Sequence, residues 1–238
     1  MSSASTKVGA GLSSAADTVA ALREAAAAAR TGLGDAPADL ALVFVSHSHL
    51  DAAEPGLQEV GDLLEPSALI GCCAQGVLGG EREVEEGPGA AVWAMSSPRA
   101  GIDSFHLSAE IDDGELTLEE LPAARANLML LLADPFSFPA DALLDRTALE
   151  RPGLPVVGGL ASGAVSPDDA VLFRGTQRLE GGAVGVLLDG VQVVPCVSQG
   201  AAPIGPEMVV TAGEGNVVLE LASRPALEKL RAVLGDLE

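Results

Sequence analysis

An α/β fold is the class this sequence predicts: a duplicated strand–helix–strand–hairpin unit, with mixed sheets and a pseudo-two-fold repeat. Three observations predict it. The stretch at 69–76, Leu-Ile-Gly-Cys-Cys-Ala-Gln-Gly, returns at 156–163 as Val-Val-Gly-Gly-Leu-Ala-Ser-Gly, an offset of 87. Each copy is an apolar strand that breaks into small residues and ends on glycine. Each is preceded by a second apolar run and a helix-like segment, and that order is the βαβ unit, whose strands are parallel and whose crossover is right-handed. Each is followed by further strand-like runs, read as a hairpin.

Composition bounds the rest. At 238 residues the chain makes one large domain or two small ones, enough to bury roughly 70% of the unfolded surface. Hydrophobic residues are 48% and aromatics only 3%, with no tyrosine, so the core is built from Val, Leu, Ile and Ala. Thirteen Lys and Arg against 34 Asp and Glu give a net charge of −21. That charge argues against nucleic acid or an anionic membrane surface as partner, since both are polyanions. Three cysteines give no disulfide framework. The first residues lack the apolar stretch of a signal peptide, and no apolar run nears the ~20 residues of a membrane span. The expectation is a soluble protein of a reducing cytoplasm.

In order, residues 1–12 are small and polar and read as frayed. Residues 13–30 are alanine-rich and helical, capped at Ser13, Ser14 or Asp17 and stopped by Gly32 and Gly34. With the leading residues they form an N-terminal segment, 1–38. Residues 40–45 are a short continuous apolar run, a strand buried on both faces. Residues 46–51 form the loop at its carboxyl end. Leu57, Val60, Leu63 and Leu64 have the spacing of an amphipathic helix, and 69–73 is the next strand. The acidic stretch 79–89 reads as an exposed loop or edge hairpin. Strands at 90–95 and 102–109 are joined by a turn at 97–101; 112–125 is a polar connection with room for a helical turn. The second copy runs through a strand at 128–132, a helix at 140–149, the strand at 155–160 and a short strand at 169–175. A hairpin then pairs 182–188 with 191–198 through Asp189-Gly190. The tail holds strands near Val209 and at 215–221. Its final helix is capped by Ser223, with Leu227, Leu230 and Leu234 on one face.

Chemistry-bearing residues gather at strand ends. His47-Ser48-His49-Leu50-Asp51 follows a strand, and imidazoles two apart in such a loop can reach one Zn²⁺ whose water becomes a nucleophile. His-x-His-x-Asp resembles the first part of the metallo-β-lactamase metal signature, but Ala52 stands where its final histidine is expected and the chain's third histidine is the distant His106, so the plainer alternative is loop histidines near a ligand cleft or simply exposed. Cys72 ends a strand beside that loop, and with a nearby base it would be a nucleophile; the alternative is a small buried residue. Gly71, Gly158 and Gly159 let backbone approach a ligand, or simply make turns. Ligands of open parallel sheets favour the carboxyl ends of strands. That rule selects Ser46, His47, His49, Gly71, Cys72, Gln75, Gly158, Gly159, Ser162, Ser198 and Gln199 as the candidate ligand-binding set, with no cofactor and no resident metal.

The chain resembles the FIST family. The resemblance rests on residues 40–46, on Ile70-Gly71-Cys72, on Gly79 through Pro88, on Gly182-Ala183-Val184-Gly185-Val186, and on Ser198-Gln199-Gly200 followed by Pro203-Ile204-Gly205. Glu214 through Leu221, with Arg224-Pro225-Ala226-Leu227, completes it. It implies an N-type domain over 39–200, with repeats at about 39–110 and 127–200, and the start of a truncated C-type domain over 201–238. It also implies a sensory module that binds a small amino-acid-like ligand and relays it to a signalling partner, or shares its site with the rest of the C-type domain; no catalytic triad comes with it. Where the family often has Thr-Thr-Ala-Gly-Glu after Gly-Cys, this chain has Cys73-Ala74-Gln75-Gly76-Val77. The competing functions are a hydrolase using Cys72 or a His47/His49 metal site, and a protein–protein scaffold without ligand.

Overall fold

The computed structural model describes residues 5–112, 115–167, 169–194, 196, 200 and 202–235. It divides into two units, Met1–Val194 and Pro195–Glu238. Among the described residues no helix is long and apolar enough to cross a membrane.

The first unit begins with β1 (Lys7–Ser13), α1 (Thr18–Leu33), β2 (Leu40–Val45), a 3-10 turn (His47–Ala52), α2 (Ala53–Leu64) and β3 (Ala68–Cys73). Then come β4 (Val77–Gly79), β5 (Arg82–Val84), β6 (Ala90–Ser96), β7 (Gly101–Leu107), β8 (Ala109–Asp112) and β9 (Glu115–Leu118). The second half adds β10 (Leu128–Ala133), α3 (Ala140–Glu150), β11 (Val156–Leu160), β12 (Val171–Arg174), β13 (Gln177–Glu180) and β14 (Ala183–Asp189). A six-stranded sheet has the order β1-β6-β2-β3-β12-β13 and a four-stranded sheet the order β11-β10-β14-β7. Both are mixed. β2 and β3 are parallel with β6 antiparallel on β2, and β10 and β11 are parallel with β14 antiparallel on β10.

Three apolar layers hold the unit together. Leu40, Ile70, Cys72 and Leu172 of the larger sheet meet Leu132, Val184, Val186 and Leu188 of the smaller one. On the far face of the larger sheet, α1 and α2 bury Leu22, Leu33, Leu57 and Leu64 against Val43, Val45 and Phe173. On the far face of the smaller sheet, Leu143 of α3 packs with Met129, Leu131, Phe105 and Leu187. Side chains alternate along each strand, so one strand feeds two layers at once.

Local signals set the ends of elements. Asp17 caps α1 by accepting from the Ala20 amide at 2.8 Å. Gly34, at φ +64°, closes it with its amide on Arg30 O; the left-handed region suits glycine. The acidic stretch folds as the β4–β5 hairpin.

Four expectations change. Residues 7–13 are not frayed, because β1 pairs with β6 over seven residues from Lys7↔Ser96 to Ser13↔Ala90. Residues 109–112 pair with 115–118 as the β8–β9 hairpin, and no helical turn follows it among the described residues. Third, β6 and β7 do not pair. The turn at 97–100 carries the chain from one sheet to the other, and β7 pairs with β14 over seven residues. A four-residue connection serves a hairpin or a sandwich corner equally well, so spacing did not distinguish them. Residues 191–194 form no strand; of the rest of that predicted strand, 195, 197 and 198 lie outside the described residues.

The second unit is a three-stranded sheet of β15 (Val210–Glu214), β16 (Val217–Leu221) and β17 (Arg224–Pro225), followed by α4 (Ala226–Gly235).

Candidate functional site

The carboxyl ends of β2 and β3 lie side by side, with Val45 opposite Cys73. Ser46 follows β2 and is buried. Its hydroxyl accepts from the Gly89 amide at 2.9 Å and lies 3.0 Å from the Ser48 hydroxyl. It ties the loop to the start of β6.

The two histidines part company. His47 is exposed, whereas His49 is fully buried. The 3-10 turn gives successive residues a rotation near 120°, which puts positions two apart on different faces. His49 Nδ1 lies 3.0 Å from Thr18 Oγ1 of α1, and its Nε2 has no hydrogen-bond partner among the described residues. Burial lowers its pKa, opposed by the charge of Asp17. The pair therefore does not converge on one metal ion. Among the described residues no group of three or more His, Cys, Asp or Glu side chains could hold one.

Cys72 faces the layer between the sheets, on the opposite side of β3 from Cys73 and the α1–α2 layer. Burial pushes the Cys72 thiol up to about 12, helped by Cys73, and burial pushes Cys73 up to about 11. Neither holds a thiolate at neutral pH, so the arrangement does not supply the nucleophile a cysteine hydrolase needs. A maleimide reagent at pH 7 is expected to modify the exposed Cys196 and to reach Cys72 and Cys73 only after unfolding; peptide mapping of the modified chain checks this.

The loops after β3 and β11 do meet. The Gln75 amide donates to Ser162 Oγ at 3.2 Å, across a separation of 87 residues. That separation equals the offset between the two related sequence stretches. Nearby, the Gly163 amide donates to Cys73 O at 3.3 Å. A Cβ on Gly163 would fall 2.3 Å from Cys73 Sγ. Behind this junction a cavity of about 290 Å³ lies between the sheets, walled by Leu42, Phe44, Cys72, Leu132, Gly159 and Ser162. A wider cleft of about 550 Å³ shares Leu42, Phe44 and Ala74 with it; Trp93 forms part of its wall and Val77–Gly80 line it from the β4–β5 hairpin. Among the described residues no charged side chain lines either space.

Of the candidate set, the structure brings Cys72, Gln75, Gly159 and Ser162 to this junction, with Gly158 on the cavity wall. Gly71 serves close packing, since a Cβ there would fall 2.0 Å from Val43 O. Ser46, His47 and His49 belong to the neighbouring loop and line neither space. Ser198 and Gln199 lie outside the described residues. Sequence reasoning missed Leu42, Phe44 and Trp93. The available signal was Trp93 itself, the sole tryptophan of a chain with 3% aromatics.

Residues 39–224 match the FIST N domain. The chain belongs to the FIST family. FIST domains are sensory domains of signal transduction. An uncharacterized protein of Mycobacterium tuberculosis is 42% identical over 230 residues, covering 96% of this chain and 60% of the relative. An uncharacterized protein of Mycobacterium bovis is 38% identical over 229 residues, covering 96% and 59%. This FIST chain thus spans about 60% of the length of the curated relatives it matches.

Proposed function

We propose that this FIST domain is the ligand-receiving module of a signalling protein. It takes a small, amino-acid-like metabolite at the junction of the β3 and β11 loops and passes the occupancy to a partner protein. The observation that carries this reading is the Gln75–Ser162 hydrogen bond closing over an uncharged, apolar cavity. An apolar body enters the space walled by Leu42, Phe44 and Leu132, while Ser162 Oγ, the Gln75 amide and the open backbone at Gly159 serve a polar head. A few polar groups converging on an apolar hollow is the usual make-up of a small-molecule site. Because the bond joins the two halves of the unit, a head group that competes for Ser162 changes how those halves are tied, and a partner can read that change. The hydrolase alternative loses ground to the raised thiol pKa values and the divergent histidines.

Trp93 supplies the readout. Titration of the chain with leucine, isoleucine, phenylalanine and their amides is expected to shift tryptophan emission saturably for at least one of them. Ser162→Ala is expected to weaken that response about tenfold, the loss of one hydrogen bond of roughly 1.4 kcal/mol. A flat response across the whole panel would overturn the reading.

A further inference from the structure

β11 is the outer strand of the four-stranded sheet, and its far edge has no partner among the described residues. Its counterpart β3 is covered. β12 runs antiparallel along β3, with Leu172↔Cys72, Phe173↔Gly71 and Arg174↔Ile70, and the Gly175 amide donates to Leu69 O at 2.8 Å. In other respects the two strands are matched. Gly71 sits opposite Val43 and Gly158 opposite Leu131. The Ala74 amide donates to Val45 O at 2.9 Å, and the Ala161 amide to Ala133 O at 2.8 Å.

The register says which groups of β11 are free. Ala161 N–H points to β10 and Pro155 O accepts from Met129. In a parallel ladder every second residue faces the same neighbour, so Gly158 and Leu160 turn their N–H and C=O outward. The edge carries none of the usual guards: Val156–Leu160 contains no charge and no proline. Val157 is 39% exposed and Leu160 53%. Next to it lies the cavity of about 290 Å³, where nothing comes within 4 Å of a Cβ built on Gly159. At the covered edge, Cys72 and the fully buried Leu172 fill the intersheet layer.

We propose that the β11 edge binds an extended peptide segment of a partner protein. The segment lies antiparallel, alternates apolar side chains in the manner of Val171-Leu172-Phe173, and is flanked by lysine or arginine. Its Leu172-like residue enters the cavity in place of the metabolite's apolar body, so peptide and metabolite exclude each other there, and its backbone completes the sheet as a fifth strand, the strand-addition mode of peptide recognition. The covered β3 edge is the template for the occupant's direction and pattern. Charge selects its flanks: a chain of net charge −21 attracts basic segments and works against a second, equally acidic copy of itself. The wider cleft beside Trp93 plays no part in this contact.

The probe is a fluorescein-labelled peptide with the sequence of Val171–Arg174 between lysine pairs, titrated by anisotropy against the chain. Saturable binding that weakens with added salt is expected. Leu160→Pro is expected to reduce affinity at least about tenfold, because it removes an outward N–H while leaving the β10 ladder intact. Gly159→Leu, which fills the cavity, is expected to weaken binding without lowering Tm. A peptide N-methylated at alternate residues is expected not to bind, and it tests the ladder without altering the protein. Absence of saturable binding overturns the proposal, as does binding indifferent to both the N-methyl groups and Leu160→Pro. Equal binding with glutamates in place of the lysines overturns the basic flank. A dimer seen by light scattering at micromolar chain and abolished by Leu160→Pro assigns the edge to a second copy and overturns the foreign partner.

Discussion

Replacing Gly71 with valine is expected to destabilise the first unit by about 3 kcal/mol or more and to lower its Tm by roughly 6–12 °C. A Cβ at this position would lie 2.0 Å from Val43 O and 3.2 Å from Phe173 Cδ2. Neither neighbour can retreat. Val43 belongs to β2, which is held between β3 on one side and β6 on the other, where it pairs with Val92. Phe173 is fully buried against the helical layer. The sheet must therefore open, giving up ladder hydrogen bonds and close packing together. Gly158 is the matching position, with a Cβ 1.7 Å from Leu131 O, yet its strand lies at an edge and can swing outward. Gly158→Val is expected to cause the smaller loss, although its first contact is the closer of the two. Urea and thermal unfolding of both variants decide it: an unchanged Tm for Gly71→Val, or an equal loss in the pair, would mean that the β2–β3 spacing relaxes freely.

The two parallel pairs were legible because their sequences leave little choice. Leu40–Val45, Ala68–Cys73 and Leu128–Ala133 are short apolar runs bounded by polar or small residues, and the intervening α2 has its apolar residues at helical spacing. What was not legible is how these pieces share neighbours. The edge at β6 is taken by β1, and the edge at β14 by β7 from the other half. Both choices depend on which apolar face meets which layer, a property of the whole assembly. β1 was hidden for a related reason. Lys7-Val8-Gly9-Ala10-Gly11-Leu12 looks like flexible chain, because its glycines answer to a helix that packs across them and not to anything nearby in sequence.

The site shows the same division. The contact between Gln75 and Ser162 joins two loops that the sequence marked as strand ends, at the offset of 87 that separates the two similar stretches. The fate of His47 and His49 does not follow, because spacing alone does not say whether the loop coils as a 3-10 turn. Leu42 and Phe44 belong to an apolar run whose sequence predicts a strand buried on both faces. They are only half-buried, and that residual exposure is the cleft. A uniform apolar run carries no mark of a hollow between two sheets.

Gly11→Val is expected to destabilise the unit by about 3 kcal/mol and to release β1 from the sheet edge. Gly11 and Gly9 face α1 so closely that a Cβ would fall 2.0 Å from Ala25 O and 1.9 Å from Ala29 O. Gly32 on the helix returns the contact, with a Cβ 2.3 Å from Val8 O. The helix meets this seam with Ala21, Ala25 and Ala29, all fully buried. Alanine removes little apolar area from water, so the close approach of the two backbones, with its many short contacts, does much of the holding. A branched side chain at position 11 separates strand from helix along the whole seam. β6 then becomes an open edge, and its amides that face β1 are expected to lose protection in hydrogen exchange, while those facing β2 keep theirs. The obstacle is a carbonyl, so Ala28→Gly, which clears a Cβ 2.7 Å away, is expected not to rescue the variant. Rescue would mean that side-chain crowding, and not the backbone approach, sets the distance between α1 and β1.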